Sequence, residues 1–254
     1  MRRSSEGGEV SREWFRDWFG EEYLALYPHR NAREATRAVR LFLEAVPPPE
    51  GGTVLDVGCG AGRHLRELLA CGVPAVGLDL SRVLLGRARQ RCPRARLVRG
   101  DMRFLPFRDG AFSGLTSFFT SFGYFASREE DARVVTEMRR VLQRGGPFLL
   151  DFLNADRVRQ DLVARDERRV GTTRVTQTRE IQGDTVVKTI RLSDEDGAGE
   201  GERTFHERVR LYPPADLEAL LAAHGMRTED RFGSYGGEPF DGRSHRLILA
   251  GRAA

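Results

Sequence analysis

The segment VLDVGCGAGRH, which runs from Val54 to His64, decides the fold of this chain. Its apolar run leads directly into glycines at alternate positions, 58, 60 and 62. Glycine lets the backbone turn sharply and approach a ligand, and the start of the following helix offers unpaired N–H groups. The spacing G-x-G-x-G differs from the G-x-G-x-x-G of dinucleotide sites. Asp56 would repel a pyrophosphate and attract an ammonium group, so the loop suits a ligand that carries an ammonium group.

Strands and helices alternate along the central part of the chain. The β-type runs lie at 53–57, 75–79, 96–98, 112–118 and 147–153, and helical patterns lie between them at 63–70, 81–91 and 127–142. Such alternation predicts a parallel sheet that is covered by helices on both faces. Ser127 and Glu130 have the spacing of a capping box at the start of the last of these helices.

The N-terminal part has a helical pattern. Aromatic residues recur there at intervals of three and four, and Ser11 is the expected N-cap of this first helix. A second helix is predicted over 31–45, because three prolines at 47–49 stop it.

The C-terminal part changes pattern again. Residues 168–212 alternate as three antiparallel strands, and a helix at 214–223 and two closing strands follow. We therefore predict three units, which are an N-terminal helical cap at 1–50, a main domain at 51–254 and, inside it, an antiparallel β insertion at 166–212.

Charge and composition exclude several functions. The chain has 254 residues, of which 41 are basic and 37 acidic, and Lys188 is its single lysine. A P-loop is excluded because no Gly-Lys-Ser/Thr sequence exists. A Schiff-base enzyme would depend on Lys188, which we expect on an exposed hairpin. The arginines are interleaved with acidic residues, which favours a compositional background over a nucleic-acid partner.

The three cysteines, Cys59, Cys71 and Cys92, are odd in number and lack C-x-x-C spacing. This usage favours a reducing compartment over a disulfide framework or a structural zinc site. We expect no metal, because the His, Asp and Glu residues show no ligand spacing. The sequence shows neither a signal peptide nor a stretch that would span a bilayer, so we predict a soluble, cytoplasmic protein.

Acidic residues follow the first three predicted strands. They are Asp56, Asp79 and Asp101. Because the carboxyl ends of parallel strands share one edge of a sheet, the three side chains are expected to face one ligand, and the second position reaches a ribose diol in doubly wound sheets. Each Asp could instead cap the next helix, but three at one edge favour a binding site.

These features resemble the class I S-adenosylmethionine-dependent methyltransferases. VLDVGCGAG is similar to the first motif of that family, VGLDLS to the second, RLVRGDMRFLPF to the third and VLQRGGPFLLDFLN to its strand-five motif. The resemblance implies an α/β fold with a doubly wound, mostly parallel sheet of seven strands, in the order 3-2-1-4-5-7-6 and with the last strand antiparallel. It also implies S-adenosylmethionine as cofactor and S-adenosylhomocysteine as product.

The resemblance assigns cofactor contacts residue by residue. Asp79 would bind the ribose hydroxyls and Asp101 the adenine amino group, while Met102 would donate its backbone N–H to the ring edge. Leu80 would pack on the adenine face, and Phe118 would lie beside the cofactor. The methionine moiety would be held by the glycine loop, which contributes Asp56, Gly58, Cys59, Gly60 and Gly62.

Further candidates lie in the cap and in the insertion. Arg30 would pair with the methionine carboxylate and Tyr27 would pack against it, in a cap that excludes water; Tyr27 in the core and Arg30 in solvent is the alternative. His206 is the candidate general base because it titrates near neutral pH, although a structural histidine fits the same pattern. His206 and Arg208 share a polar stripe, which would line the acceptor site or form a homodimer surface.

The segment TSFFTSFGYF at 116–125 follows the fourth predicted strand, where nucleobase amino-methyltransferases carry an Asn/Asp-Pro-Pro-aromatic motif. Its rings and hydroxyls suit a small organic acceptor, and some of its rings are expected in the core. The candidate substrate-binding residues are Phe122, Tyr124, Asn154, Arg208 and Tyr235.

The sequence therefore predicts methyl transfer by in-line displacement to an N or O atom of a small organic molecule. An RNA or protein methyltransferase and a non-catalytic cofactor-binding protein on the same fold are the alternatives. No membrane partner is expected, and nucleic acid is disfavoured.

Overall fold

The computed structural model describes residues 11–27, 32–194 and 201–254. Its strands are β1 (Val54–Val57), β2 (Ala75–Asp79), β3 (Arg96–Arg99), β4 (Gly114–Ser117), β5 (Pro147–Leu153), β6 (Arg165–Val170), β7 (Thr173–Gln182), β8 (Thr185–Asp194), β9 (Arg203–Arg210), β10 (Met226–Phe232) and β11 (Arg246–Ala253). Its helices are α1 (Phe15–Trp18), α2 (Glu21–Leu26), α3 (Ala32–Ala45), α4 (Arg63–Ala70), α5 (Arg82–Arg91), α6 (Arg128–Val141), α7 (Ala155–Gln160) and α8 (Pro214–Ala223).

Seven strands form the main sheet in the order β3-β2-β1-β4-β5-β11-β10. The first five run parallel, and β11 is antiparallel to both of its neighbours, β5 and β10. When the strands of the insertion are left out of the numbering, this order is 3-2-1-4-5-7-6. The predicted fold class and strand order are confirmed.

Helices cover both faces of this sheet, because its strand side chains alternate between two apolar layers. On one face, Phe148 and Leu150 of β5 pack in the same cluster as Met138 of α6. On the other face, Leu149 of β5 lies in a cluster with Leu65 of α4. The carboxyl ends of the parallel strands are left for the loops that carry the candidate site.

The helix starts test two of the predicted caps. The Ser127 hydroxyl accepts a hydrogen bond from the Glu130 N–H at 3.3 Å, as predicted for the capping box. Ser11 is not the N-cap of the first helix, because α1 begins only at Phe15 and has no side-chain cap. Ser11 instead accepts from the Glu13 N–H in the turn before that helix.

The insertion is a separate antiparallel sheet of four strands, in the order β6-β7-β8-β9. The sequence predicted three strands and missed β6, whose residues RDERRV alternate only between exposed and half-buried and contain a single apolar side chain. A turn at Gly171, with φ of 60°, joins β6 to β7. The division into cap, main domain and insertion stays a prediction.

Lys188 on β8 is not exposed, contrary to the expectation from the sequence. Only 14% of its side chain is accessible, and its ammonium group donates hydrogen bonds to the Tyr27 hydroxyl at 2.7 Å and to Glu207 at 3.2 Å. This face of the insertion lies against the cap, where Trp18 also donates to Glu207 at 2.6 Å. The cap therefore lies between the insertion and the main sheet.

No helix in the described ranges is long and apolar enough to cross a membrane.

Candidate functional site

The glycine loop after β1 requires glycine at two positions in particular. Gly58 has φ of 72°, and a Cβ atom there would lie 2.7 Å from Cβ of Ser121. Gly62 has φ of 75°, and a Cβ atom there would lie 3.0 Å from Cβ of Ala88 on α5. Both residues have a left-handed backbone conformation, which residues with a Cβ atom disfavour. The loop can therefore pack this closely against Ser121 and α5 only with glycine at these two positions.

Asp79, at the end of β2, joins two backbone segments of the site. One carboxylate oxygen accepts from the Gly60 N–H and the other from the Ser81 N–H, each at 2.8 Å. Burial raises the pKa of this carboxyl group, and the bonds from Ser81 and Gly60 oppose that rise. Each oxygen can accept a further hydrogen bond, so Asp79 can still bind a diol.

Asp56 is buried directly before the glycine loop, and one of its oxygens has no hydrogen-bond partner among the described residues. The other accepts from the Thr116 hydroxyl at 3.2 Å. Burial raises the pKa of Asp56 to about 7, and the charge of Asp79 adds to this rise. Two carboxyl groups with raised pKa values thus lie beside the loop, an arrangement that a cation would stabilise.

A first cavity of about 860 Å³ opens at this edge of the sheet. The sequence-predicted residues that line it are Gly58, Cys59, Gly60, Asp79, Leu80, Asp101, Met102 and Phe118. The cap closes it with Phe15, Phe19 and Tyr23. Asp56 and Gly62 lie outside the lining and support the loop from behind. The cavity therefore brings together most of the predicted cofactor residues.

Asp101 lines this cavity, and a neighbouring arginine orients it. Both of its oxygens accept from Arg103, with the shortest contact at 2.7 Å. Burial alone would raise the pKa of Asp101, but the bonds from Arg103 lower it overall. The carboxylate is thus ionised and fixed in orientation.

The loop after β4 is strained. Phe119 and Thr120 have φ values of 60° and 57°, which non-glycine residues rarely adopt. Asp151 of β5 holds this conformation, because its side chain accepts from the Phe119 N–H at 2.6 Å and its carbonyl from the Thr120 N–H at 3.0 Å. Arg246 of β11 completes the arrangement with a two-pronged ion pair to Asp151 at 2.6 and 2.7 Å.

Aromatic rings of this loop lie between charged or polar groups. The guanidinium groups of Arg63 and Arg246 lie 4.5 and 4.9 Å from the centre of the Phe119 ring. The ring of His64 stacks on Phe118 at 4.3 Å, and burial holds the pKa of His64 well below its usual value. Phe118 is thereby fixed as a wall of the first cavity, and its predicted place beside the cofactor stays a prediction.

A second cavity, of about 1630 Å³, adjoins the first. Four aromatic residues line both cavities and form their shared wall: Phe19, Tyr23, Phe119 and Tyr124. The far side is polar and includes two ion pairs, Arg179 with Asp166 at 2.5 Å and Lys188 with Glu207 at 3.2 Å. The geometry thus offers one site for a cofactor and an adjoining one for an acceptor.

The candidate substrate residues divide between this cavity and the core. Tyr124 and Asn154 line the second cavity, although the Asn154 side chain also caps α7. Phe122 is fully buried and packs against Phe152 and Tyr212. Tyr235 lies outside both cavities, where its hydroxyl donates to Asp151; burial raises its pKa well above the usual value.

His206 and Arg208 do not line either cavity. Glu207 and Val209 of β9 face the second cavity, so the alternation along the strand directs 206 and 208 to the opposite face of the insertion. His206 contacts the Thr189 hydroxyl at 3.2 Å, and burial together with Arg191 lowers its pKa. This position gives no support to His206 as the general base.

Of the two cofactor-binding candidates in the cap, the structure describes only Tyr27. Tyr27, directly after α2, lies outside the first cavity, and its hydroxyl accepts from Lys188, while Tyr23 of α2 lines the cavity. Arg30 lies outside the described residues, so its proposed contact stays a prediction.

Sequence reasoning missed Asp151, Arg103 and Arg246. The signal available for Asp151 was a lone acidic residue inside the apolar run PFLLDFL, because a buried charge requires a partner. Nothing in the sequence identified Arg246, which lies 95 residues further along the chain, as that partner.

Comparisons with known proteins agree with this geometry. A family model described as "Methyltransferase domain" matches residues 54–146. The chain is 35% identical over 190 residues to a dTDP-3-amino-3,4,6-trideoxy-alpha-D-glucopyranose N,N-dimethyltransferase of Streptomyces venezuelae, which covers 71% of this chain and 78% of that protein. It is 29% identical over 214 residues to the cypemycin N-terminal methyltransferase of a Streptomyces species, covering 80% and 83%. Its fold is similar to that of the CcbJ methyltransferase from Streptomyces caelestis, with a TM-score of 0.78, 21% identity and coverage of 93% and 98%.

Proposed function

Since this chain belongs to the class I S-adenosylmethionine-dependent methyltransferases and, like its relatives, transfers methyl groups to a small molecule, we propose that its acceptor is the amino group of a sugar-like molecule. The observation that carries this proposal is the second cavity, which meets the first at four aromatic rings and is lined beyond them by ion pairs. Such a lining suits an acceptor with hydroxyl and charged groups better than a flat apolar one.

The first cavity fits S-adenosylmethionine in its chemistry. The remaining acceptor capacity of Asp79 suits a ribose diol, and the buried Asp56 lies behind the glycine loop, where a bound cation would favour its ionised form. Leu80 and Met102 offer an apolar surface for a base, and Asp101 offers a fixed acceptor for an amino group. When bound, the cofactor supplies a methyl group on a cationic sulfur that a nucleophile can displace.

The protein's own residues have two tasks in this reaction. The rings of Phe19, Tyr23, Phe119 and Tyr124 exclude water between the two cavities, so a nucleophile from the second cavity can be oriented in line with the methyl group. Because His206 faces away from both cavities, it is not placed to act as a base on an acceptor there, although His245 and the carboxyl groups of Asp166 and Glu207 line the second cavity. An amine needs only to arrive unprotonated, and the similarity to an N,N-dimethyltransferase supports nitrogen as the acceptor atom.

The proposal is tested by following S-adenosylhomocysteine release with a panel of acceptors. We expect turnover with nucleotide-linked amino sugars and none with the matching hydroxy sugars. Turnover restricted to hydroxy sugars would overturn the assignment to nitrogen. Binding of NAD without binding of S-adenosylmethionine in calorimetry would overturn the cofactor assignment.

A peptide amine is the second candidate. The similarity to the cypemycin N-terminal methyltransferase favours it, and a peptide panel with free and acetylated N-termini tests it in the same assay. Transfer to RNA, with binding that weakens steeply as salt rises, would instead support the nucleic-acid alternative.

We propose that the enzyme is a homodimer through the insertion, supported by the polar outward face on which Thr178, Thr189 and His206 lie side by side.

We also propose a cytoplasmic enzyme, supported by three cysteines that form no disulfide among the described residues.

A further inference from the structure

Arg103 brings together three carboxylates from three parts of the chain. It lies in the loop after β3, and only 13% of its side chain is accessible. Its guanidinium group binds Asp101 at 2.7 Å, Glu130 at the start of α6 at 2.5 Å, and Glu13 of the cap at 3.1 Å. A planar guanidinium group is suited to such a junction, since it donates in several directions at once.

The same guanidinium group also contacts aromatic walls of the first cavity. It lies 4.6 Å from the centre of the Phe125 ring and 5.9 Å from that of Phe15, which belongs to the cap. Both rings line the first cavity. Arg103 therefore contacts Asp101, the residue that is expected to bind the adenine group. It also contacts the part of the cap that covers the first cavity.

We infer that Arg103 is a positioning residue that couples adenine recognition to closure of the N-terminal cap. By orienting Asp101 it sets the acceptor for the adenine amino group, and by binding Glu13 it holds the cap over the cavity. A cofactor that orders Asp101 also orders the guanidinium group of Arg103, and through it Glu13, because the same group holds both carboxylates. This inference rests on the proposed cofactor site.

The cap has a second contact with the body, which provides a matched control. Arg87 on α5 binds Glu21 at 3.2 Å, but the two side chains are 51% and 63% exposed. An exposed pair contributes little to stability. At the junction the Arg103 side chain is 13% exposed and that of Glu13 45%, and Arg103 is also held by Asp101 and Glu130. Loss of the Glu13 contact is therefore expected to open the cap, while loss of the Arg87 pair is not.

The two tryptophans of the chain report on the cap directly. Both lie in it, and Trp14 and Trp18 are 4% and 0% exposed. Quenching of their fluorescence by acrylamide therefore measures cap opening in the full-length protein without any cofactor.

The experiment compares Glu13→Gln with Arg87→Gln and with Arg16→Gln. The last variant removes the second ion pair of Glu13, at 2.6 Å, and keeps the junction at Arg103. We expect Glu13→Gln to raise the quenching constant severalfold and to release S-adenosylhomocysteine about tenfold faster, with both controls near wild type. If Glu13→Gln matches the controls in both measurements, the coupling is refuted.

A second measurement separates positioning from mere support of the fold. We expect Arg103→Gln to lower the preference for S-adenosylhomocysteine over S-inosylhomocysteine, which lacks the amino group, by about tenfold, and Arg103→Lys to restore part of it. An unchanged preference would contradict the role at Asp101. If wild-type protein binds neither ligand, the proposed function fails, whereas the quenching data still test the contact between Arg103 and the cap.

Discussion

Asp79 carries the most direct prediction at the scale of single residues. Asp79→Ala removes a buried carboxyl acceptor and also releases the N–H groups of Gly60 and Ser81. We expect the dissociation constant for S-adenosylhomocysteine to rise about a hundredfold, the equivalent of two hydrogen bonds to a charged group.

Calorimetry checks this expectation against two variants. Asp79→Asn keeps one acceptor oxygen and is expected to lose less affinity, and Asp230→Ala on exposed β10 is expected to change nothing. Wild-type affinity in Asp79→Ala would remove the ribose assignment.

Asp56 makes stability depend on pH. Its pKa is about 7 in the folded protein and about 3.9 in an unfolded chain. Between these values the folded state keeps a proton that the unfolded state has released, so the contribution of Asp56 to stability falls as pH rises, by up to about 1.4 kcal/mol per pH unit. Asp56→Asn removes this pH-dependent loss of stability, because an asparagine side chain does not titrate.

Urea unfolding from pH 4 to 8 measures the effect. The free energy of unfolding of Asp56→Asn minus that of wild type is expected to increase with pH up to about pH 7 and to remain constant above it. Asp109→Asn, at a position whose side chain is 82% exposed, serves as the control. A difference that does not vary with pH would show that Asp56 does not titrate in this range.

At the scale of elements, the loop after β4 depends on the pair between Asp151 and Arg246. Arg246→Leu leaves Asp151 as an uncompensated buried charge and is expected to destabilise the protein by about 3–5 kcal/mol. Replacing both residues by Leu is expected to cost less than the sum of the single changes.

The double-mutant cycle is measured by urea unfolding. Arg252→Leu, on the same strand but in a pair that is 39% and 31% exposed, is expected to cost about 1 kcal/mol or less. Additive losses at 151 and 246 would mean that the two side chains do not stabilise the loop jointly.

The sequence predicted the local elements because their signals are local. The glycine loop, the Ser127 cap and helices such as α4 at 63–70 are specified by residues a few positions apart. The pair of Asp151 with Arg246 and the direction of His206 depend on strand register across the chain, which composition does not encode. The edge strand β6 escaped prediction because charged residues, which protect edges from pairing, also remove the apolar alternation.

At the scale of the whole molecule, the proposed dimer has a direct test. Light scattering is expected to give twice the 28.6 kDa mass of the chain. Thr178→Arg, which introduces charge on the outward face of the insertion, is expected to give the monomer, and Thr172→Arg in the turn before β7 is not. A monomeric wild-type protein would exclude the dimer.

The position of β11 has a consequence for how the protein is made. This strand follows every other described element, yet it lies between β5 and β10 and supplies the partner of Asp151. On the ribosome, the sheet therefore stays open at β5, and Asp151 stays without its guanidinium partner, until the residues of β11 have left the exit tunnel. The order of synthesis thus makes the loop after β4 wait for β11 before it is fully held, and it leaves β5 as an unpaired strand edge until then.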